Sequence, residues 1–498
     1  MNASIYEQIK NAVTEEGTLP KDFELTQENT EEFQWAPGAQ DGVFLYHMRY
    51  DDPAPEQLQL LEEALRSAGN TEFEHTEELF DRLTQELTAI QLIDPLQEFI
   101  QSHVEELDAK NMYLLGVTLV TSSTKVELVK IGLSILELFQ LSDQMKEVVC
   151  TLGLYDEFTL FAVWTMRQWE NRNQALFDLV KKVRSWGRIH IVEELEPQTE
   201  EIRQWLLTDG CDNDVMPAYS ALTCWTKSGA EEVLFGDVTP VEFQGLSLLI
   251  EGLLDEGPVP GISRVENAAK VLERYVDVAA TFDLTLEHYQ VIDSVLDTAM
   301  DEEAPFPAVA QKCQALLQSE ACKKVLLEAI KEGRGLELAA EVGLPFQETL
   351  FALMKEDLPR YFAQCRFLLN DSDYLEPTLE LFRKNIPLER IPGQLEKGLG
   401  IGEEYRLNHM LDFVLQELRD KPLKGMEFVT AGLRSWVSRN RNIALSVVKS
   451  WVEQEQTPLL RLSAKLYAAV SAAKGQETDL DRLKDLEALL EGQTTFAE

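Results

Sequence analysis

Positively charged residues are scarce in this sequence. Its 498 residues include 87 acidic residues but only 45 lysines and arginines, which leaves a formal net charge of −42 at pH 7. The first hundred residues contain only five of these bases: Lys10, Lys21, Arg49, Arg66 and Arg82. A field of this sign repels nucleic acid and anionic lipid at long range. We therefore expect no sequence-general binding to DNA or RNA, although a net charge averaged over the whole chain is compatible with a local basic patch.

The sequence also lacks the long apolar run of a membrane span. No window approaches about 18 uninterrupted apolar residues, and the most apolar stretch, 112–141, carries Lys125, Glu127 and Lys130 at helical spacing. Residues 1–5 lack the basic region followed by an apolar core that a secretory signal peptide would have. These features predict a cytoplasmic protein with no membrane association, in which 112–141 forms a buried pair of helices.

Cysteine is sparse, and its spacing fits neither a disulfide framework nor a zinc site. No two of the six cysteines form a Cys-x-x-Cys pair, and their scatter through apolar helical surroundings is typical of buried thiols in a reducing compartment. His190, Cys211 and Cys224 come nearest to a zinc ligand set, but their spacing matches no standard site and a fourth ligand is not evident. We predict free thiols, a packed histidine and no cofactor.

Strand-like alternation of apolar and polar residues is absent beyond residue 50, and no Asn-Gly or Asp-Gly hairpin links two strand-like runs. Apolar residues recur instead at helical spacing, as at Leu58, Leu61 and Leu65 between Pro55 and Gly69. Helix pairs with short polar turns recur every roughly 40 to 50 residues, which is the pattern of HEAT-like repeats. The predicted fold is all-α, a HEAT-like α-α superhelix (solenoid) with an irregular N-terminal segment.

The predicted organisation has four parts. An acidic, partly irregular segment occupies 1–70, a first helical-repeat region 71–280, a second 281–475, and an amphipathic tail 476–498. Within the first part, the apolar run 43–48 is too short for periodicity to decide between a strand and a buried helix.

One corner occurs twice in the sequence. Residues 171–176 (Asn-Arg-Asn-Gln-Ala-Leu) are matched by 440–445 (Asn-Arg-Asn-Ile-Ala-Leu), and a tryptophan precedes each. An asparagine before an apolar-periodic run is a good helix cap, and the arginine can pair with an acid of the next repeat. The alternative is that arginines at the two corners line an inner surface for an acidic partner. The candidate binding residues are Arg167, Arg172, Arg188, Arg434, Arg439 and Arg441.

The stretch from Trp186 to Tyr219, followed by 253–258 and 263–275, resembles a family of large cytoplasmic bacterial proteins with HEAT-like helical repeats. Most members are uncharacterised, and some carry the name limonene hydroxylase. The resemblance covers the middle third of the chain and implies a helical-repeat fold. The hydroxylase name implies activated oxygen, and hence haem, flavin or non-haem iron. The sequence displays none of the ligand or loop patterns of those groups.

The repeated corner and the lack of a catalytic constellation predict a helical-repeat scaffold or adaptor that binds a protein or peptide. The alternative is a cofactor-dependent monooxygenase with a site assembled from scattered residues. A helical-repeat protein acting on nucleic acid is a third hypothesis, which the net charge of −42 disfavours.

Overall fold

The computed structural model describes residues 3–26, 35–48, 50–257, 259–301, 305–393, 395, 400 and 402–496. All regular elements within these ranges are helices, and one isolated bridge joins Pro392 to Ser435. The all-α prediction is therefore confirmed for this part of the chain. None of the described helices is long and apolar enough to cross a membrane.

The chain divides into two compact units, Met1–Leu316 and Leu317–Glu498. The sequence pattern placed its main boundary at residue 280, between two helices that both belong to the first unit. The helix that follows Thr285 packs against the helix before it, so the chain continues as one body there.

Helices of the first unit vary from six to 15 residues in length. Short 3-10 helices lie at Met166–Gln168 and Ile262–Arg264. The α-helices are α1 (Ile5–Ala12), α2 (Ala39–His47), α3 (Pro55–Gly69), α4 (Phe73–Leu83), α5 (Ala89–Ser102), α6 (Ala109–Ser122), α7 (Val126–Leu136), α8 (Asp143–Leu152), α9 (Asp156–Thr165), α10 (Arg172–Val180), α11 (Ser185–Glu194), α12 (Glu200–Thr208), α13 (Ala218–Ser228), α14 (Ala230–Phe235), α15 (Pro240–Leu254), α16 (Ala268–Ala279), α17 (Leu286–Ala299) and α18 (Pro307–Leu317), which ends at the unit boundary.

Alternate helices of the first unit contact one another in chain order. The series begins with α3 against α5 and α5 against α7, and it continues through α9, α11, α13 and α15 to α17. The intervening helices pack on this row, with α6 on α7, α8 on α9, α10 on α11, α12 on α13, α14 on α15 and α16 on α17. From α3 onward, the helices of this unit therefore pack mainly against helices that are close to them in sequence.

The apolar run 43–48, which the sequence left undecided, lies largely in α2. This helix covers nine residues and buries Ala39, Asp41 and Gly42. The residues on either side of it, 13–26 and 50–54, contain no helix or strand.

The second unit includes one long helix, α27 (Ser438–Gln454), with shorter helices around it. Trp451 of α27 is fully buried and its indole Nε1 donates to the carbonyl of Leu418 at 2.7 Å. The 3-10 helices of the second unit are Phe362–Cys365, Leu388–Arg390 and Glu403–Tyr405. The α-helices are α19 (Glu320–Ile330), α20 (Leu336–Glu341), α21 (Gln347–Glu356), α22 (Leu358–Tyr361), α23 (Arg366–Leu369), α24 (Leu375–Asn385), α25 (Arg406–Glu417), α26 (Met426–Gly432), α27 (Ser438–Gln454), α28 (Leu459–Leu462), α29 (Ala464–Lys474) and α30 (Leu480–Glu491).

The C-terminal tail predicted from 476 onward is part of the second unit's core. Helix α30 packs against α27 and α29. Its Leu486 and Leu489 are buried in the same apolar cluster as Trp451, whereas Leu480 is exposed. The amphipathic pattern of the tail thus serves intramolecular packing.

Gly245 of α15 offers a test of how closely the helices approach. A Cβ on this residue would lie 2.4 Å from the carbonyl oxygen of Leu207 and 2.9 Å from Cα of Thr208. Alanine in a helix interior is ordinarily better than glycine by about 1 kcal/mol, but overpacking costs about 1–3 kcal/mol. Because the obstructing atoms are backbone, we expect Gly245→Ala to lower the free energy of unfolding in urea.

The matched control is Gly257→Ala, since an added Cβ there has no described atom within 4 Å. We expect the control to change the free energy of unfolding by less than about 0.5 kcal/mol. A Gly245→Ala protein as stable as wild type would contradict the close packing of α15 on α12.

Candidate functional site

The first Asn-Arg-Asn corner lies at the start of α10. Asn171 occupies the N-cap position, but its side chain makes no capping hydrogen bond, so the predicted cap is wrong. Asn173 instead ties α10 to the segment after α11. Its Nδ2 donates to the carbonyl of Glu196 at 2.9 Å, and its Oδ1 accepts from the Glu196 backbone N–H at 2.8 Å. The corner is thereby fixed by the segment that follows α11.

Arg172 of this corner forms an ion pair with an acid of the neighbouring helix, α11. The Nη2 atom of Arg172 lies 2.6 Å from Oε2 of Glu194, at the end of α11. Arg167 forms a similar pair, with 3.0 Å between its Nη1 and Oε1 of Glu137. Both arginines are thus held in position by acids.

Arg188 has a different environment from the other two arginines of the first unit. Its side chain is buried, its Nη1 donates to the carbonyl of Asp212 at 2.5 Å, and its Nε donates to the carbonyl of Val183 at 3.2 Å. Because it satisfies backbone carbonyls in the interior, Arg188 is not positioned to line a binding surface, contrary to the sequence prediction.

A shallow hollow of about 340 Å³ opens at the first corner. Residues 169–174, Glu196 and Gln198 line it. Two N–H groups on its lining residues, Nε1 of Trp169 and Nε of Arg172, are buried and have no hydrogen-bond partner among the described residues. The Lys146 Nζ atom lies 5.4 Å from the centre of the Trp169 ring. The hollow therefore has unused hydrogen-bond donors, and its charged lining residues are Arg172, which is paired with Glu194, and the carboxylates of Glu170 and Glu196.

The second corner has the same sequence but a different structure. Helix α27 begins at Ser438, so Asn440 lies inside it and is not a cap. Asn440 is fully buried; its Nδ2 donates to the carbonyl of Asn408 at 2.9 Å, and its Oδ1 accepts from Oγ of Ser435 at 2.8 Å. The cap prediction is therefore wrong here too, because a buried polar network replaces the turn.

The arginines of the second corner take part in that network. Arg439 pairs with Asp412. Arg441 is 5% exposed, and its Nη1 donates to the carbonyls of Ser435 and Trp436, each at 2.9 Å. Arg441 thus joins the interior of the second unit and is not presented at a surface.

Two further contacts complete the second corner. The Nε atom of Arg441 lies 3.1 Å from Oε2 of Glu477, which Arg482 also contacts at 2.9 Å. Burial opposes ionisation of Glu477, but hydrogen bonds from Arg482 and from backbone N–H groups outweigh it and lower the pKa to about 2. Arg434 lies between α26 and α27, and its Nε is buried without a described hydrogen-bond partner.

The most unusual charged cluster of the first unit was not singled out by the sequence. Lys130 of α7 is fully buried, and its Nζ lies 2.6 Å from Oε1 of Glu157, 2.8 Å from Oδ2 of Asp41 and 2.9 Å from Oε1 of Glu127. A lysine in the otherwise apolar run 128–136 was the available signal. The acids of α2 and α9 that surround it are remote in sequence and could not be paired with it.

Three carboxylates around one ammonium leave an excess of negative charge in the interior. Burial raises the pKa of Asp41 to about 6 against the attraction of Lys130. Burial alone would lower the pKa of Lys130, but the three acids outweigh it and raise that pKa well above the usual value. Burial opposes ionisation of Glu157, yet Lys130 and the Gly38 N–H together lower its pKa. Asp41 is thus protonated more easily than Glu157.

An aromatic cluster adjoins these charges. Tyr46 of α2 lies against Trp186 and His190 of α11 and Tyr219 of α13, with ring centres 5.4 Å to 6.4 Å apart. His47 Nε2 and the Tyr219 hydroxyl are 2.6 Å apart. The cluster joins α2 to two helices more than 130 residues away.

His190 is packed in the interior, as predicted, and so are Cys211 and Cys224. Burial lowers the pKa of His190 to about 4, so its ring is neutral at pH 7. Burial likewise raises the pKa of both thiols above the usual range. No group of three or more metal-ligating side chains with suitable geometry occurs among the described residues.

Comparison with known proteins finds no matching family model, no similar curated protein and no similar solved structure. The resemblance to HEAT-like bacterial proteins therefore stays a prediction. A functional proposal for this chain depends on the geometry of its own residues.

The pKa of Asp41 leads to a test by pH. Because its pKa is about 6 in the folded chain and 3.8 when unperturbed, its protonation stabilises the folded state fully below pH 3.8, and this contribution is lost as the pH rises through 6. Asp41→Asn removes this titration. We therefore expect the free energy of unfolding of wild type, relative to Asp41→Asn, to fall by about 1 kcal/mol between pH 5 and pH 7.

Urea unfolding at the two pH values measures this difference. Asp237→Asn, at an exposed position, serves as the control. Its free energy of unfolding should differ from that of wild type by the same amount at both pH values. If the free energy of unfolding of wild type, relative to Asp41→Asn, rises with pH, the proposed protonation of Asp41 is contradicted.

Proposed function

We propose that the protein is a helical-repeat interaction scaffold that binds a peptide segment of a partner protein in the hollow at the first corner. The observation that carries this proposal is the pair of buried N–H donors, on Trp169 and Arg172, that have no hydrogen-bond partner among the described residues. Both residues line the hollow.

The row of alternate helices from α3 to α17 supports a HEAT-like superhelical arrangement within the first unit. In such arrays each repeat contacts only its neighbours, and stacking creates an extended surface suited to elongated partners. The first corner lies beside this row, since α10 packs on α11.

The chemistry of the corner favours a ligand rich in acceptor oxygens. A buried N–H without a partner costs about 1–3 kcal/mol, and a bound carbonyl or carboxylate oxygen would remove that cost once the side chains turn to expose the two donors. The side chains of Asn171 and Gln174, which also line the hollow, offer amides that can both donate and accept. A peptide backbone with a nearby carboxylate supplies acceptors of both kinds.

The corner is also preorganised for binding. Glu194 holds the guanidinium of Arg172, and the backbone of Glu196 holds the amide of Asn173. Side chains that are already fixed lose little conformational entropy when a ligand binds. This favours a recognition role over a purely capping one.

A cytoplasmic location and the exclusion of nucleic acid belong to the same proposal. The six cysteines are free, as suits a reducing compartment, and the net charge of −42 opposes contact with phosphate backbones.

The competing monooxygenase hypothesis has a direct test, because a visible absorption band or bound iron in the purified protein would support it.

Selection from a random peptide display library against the full chain tests the binding proposal. We expect peptides to be selected whose affinity falls about 3- to 10-fold in Trp169→Phe, because loss of one hydrogen bond costs about 0.5–1.5 kcal/mol. Phenylalanine keeps a ring beside Lys146 but removes the indole N–H.

The matched control is Trp164→Phe, which removes an indole N–H from the same unit at a residue that does not line the hollow. It should bind the selected peptides with unchanged affinity. If no peptide is selected, or if all selected peptides bind Trp169→Phe as tightly as wild type, the corner is not a peptide site.

A further inference from the structure

Helix α2 lies in a groove formed by helices that follow it much later in the chain. At its polar end, Asp41 reaches Lys130 of α7 at 2.8 Å, and the backbone N–H of Gly38 donates to Oε2 of Glu157 of α9 at 2.7 Å. The floor of the groove therefore holds a buried ammonium group, and α2 supplies a carboxylate to it.

The other end of the groove is aromatic. Gly42 of α2 lies flush against the indole of Trp186, since a Cβ there would be 2.1 Å from the indole Cε3. One turn further, the ring of Tyr46 packs edge-on against Tyr219, with 5.4 Å between ring centres. His47 adds a contact with the Tyr219 hydroxyl. The chemistry of the groove thus matches α2 at Asp41, Gly42 and Tyr46.

Helix α2 depends on the groove for its structure. It has nine residues, begins after Gly38 at φ 73°, and has no side-chain cap at its N-terminus. Isolated helices shorter than about 12–15 residues are marginal in water. Its solvent side carries Leu45 and Met48, which are 47% and 53% exposed. The helix is therefore held by its contacts with the groove and not by its own propensity.

The groove, in contrast, does not depend on α2 for its charge balance. Without α2, Lys130 keeps two carboxylate partners, Glu127 and Glu157. Docking of α2 adds a third carboxylate to one ammonium, which increases the buried negative charge. A like charge added to a buried cluster is unfavourable, so the polar end of α2 is held less firmly than its distances alone indicate.

We propose that this groove is a helix-docking site that α2 occupies in cis. The partner that displaces α2 is a protein helix with the same chemistry: a carboxylate for Lys130, a small residue against Trp186 and, five residues after the carboxylate, an aromatic side chain against Tyr219. An apolar helix face set into a groove is a common recognition mode. Because α2 is tethered, its high effective concentration keeps the site closed to weak competitors.

A labelled synthetic peptide of residues 35–48 tests the proposal by fluorescence anisotropy with the full chain. Gly42→Leu in the chain prevents its own α2 from docking, because the side chain would overlap Trp186. We expect the peptide to bind this variant at least 10-fold more tightly than wild type. A peptide with Tyr46→Ala should bind the variant at least 10-fold more weakly than the unchanged peptide, because it loses the ring contacts with Trp186 and Tyr219.

A second variant guards against loss of folding in Gly42→Leu. Gly38→Ala also opposes docking, because Gly38 has φ 73° and an added Cβ would lie 2.7 Å from the Asp156 carbonyl oxygen. Gly17→Ala is its control, since Gly17 also has positive φ but lies outside α2. Circular dichroism establishes whether each variant folds. Unfolding of both docking variants, with the control intact, would show that α2 is an integral part of the unit and would overturn the proposal.

Hydrogen exchange of the wild-type chain gives an independent result. We expect the amides of α2 to exchange at least 10-fold faster than those of α9 and α11, because α2 opens without the helices beneath it. Equal protection of α2 and α11 would overturn the proposal, and so would equal peptide binding by Gly42→Leu and wild type. Trp169→Phe should not alter binding of the α2 peptide, so this site and the first corner are tested separately.

Discussion

Burial of the Lys130 ammonium ties together parts of the first unit that are far apart in sequence. Its three carboxylate partners come from α2, α7 and α9, and Asp41 is 89 residues away from it. A buried lysine without partners would be strongly unfavourable, so the packing of α7 and α9 is coupled to its charge, and α2 adds a third carboxylate. Beside this cluster, Tyr46 of α2 packs against Trp186 and His190 of α11.

The two Asn-Arg-Asn corners show that a repeated sequence need not have a repeated role. In the first unit the motif lies at a helix start and leaves donors unused at a hollow. In the second, α27 begins two residues before the motif, and Asn440 is part of a hydrogen-bond network with Asn408 and Ser435. The local sequence pattern is the same at both corners. The different position and burial of the first asparagine come from the hydrogen-bond partners that α25 supplies in the second unit.

Much of the helical structure could be predicted because its causes are local. Helix α3 runs from Pro55 to Gly69, where a proline suited to the first helical position and a C-terminal glycine mark its two ends. The partners of Lys130 and the helical state of 39–47 could not be predicted, since both depend on tertiary contacts. For the same reason Arg188 and Arg441 were assigned to a surface: periodicity alone does not reveal a guanidinium that satisfies buried carbonyls.

The long sequence separation of α2 from its groove has a consequence for synthesis on the ribosome. Most helices of the first unit pack against near neighbours and can fold soon after they emerge. His47, however, is 172 residues away from Tyr219. At about 5–20 residues per second, α2 waits roughly 10–30 s for the last wall of its groove. One of the first helices to be translated is therefore seated only after α13 has been made, and its apolar side chains are available to chaperones in the interval.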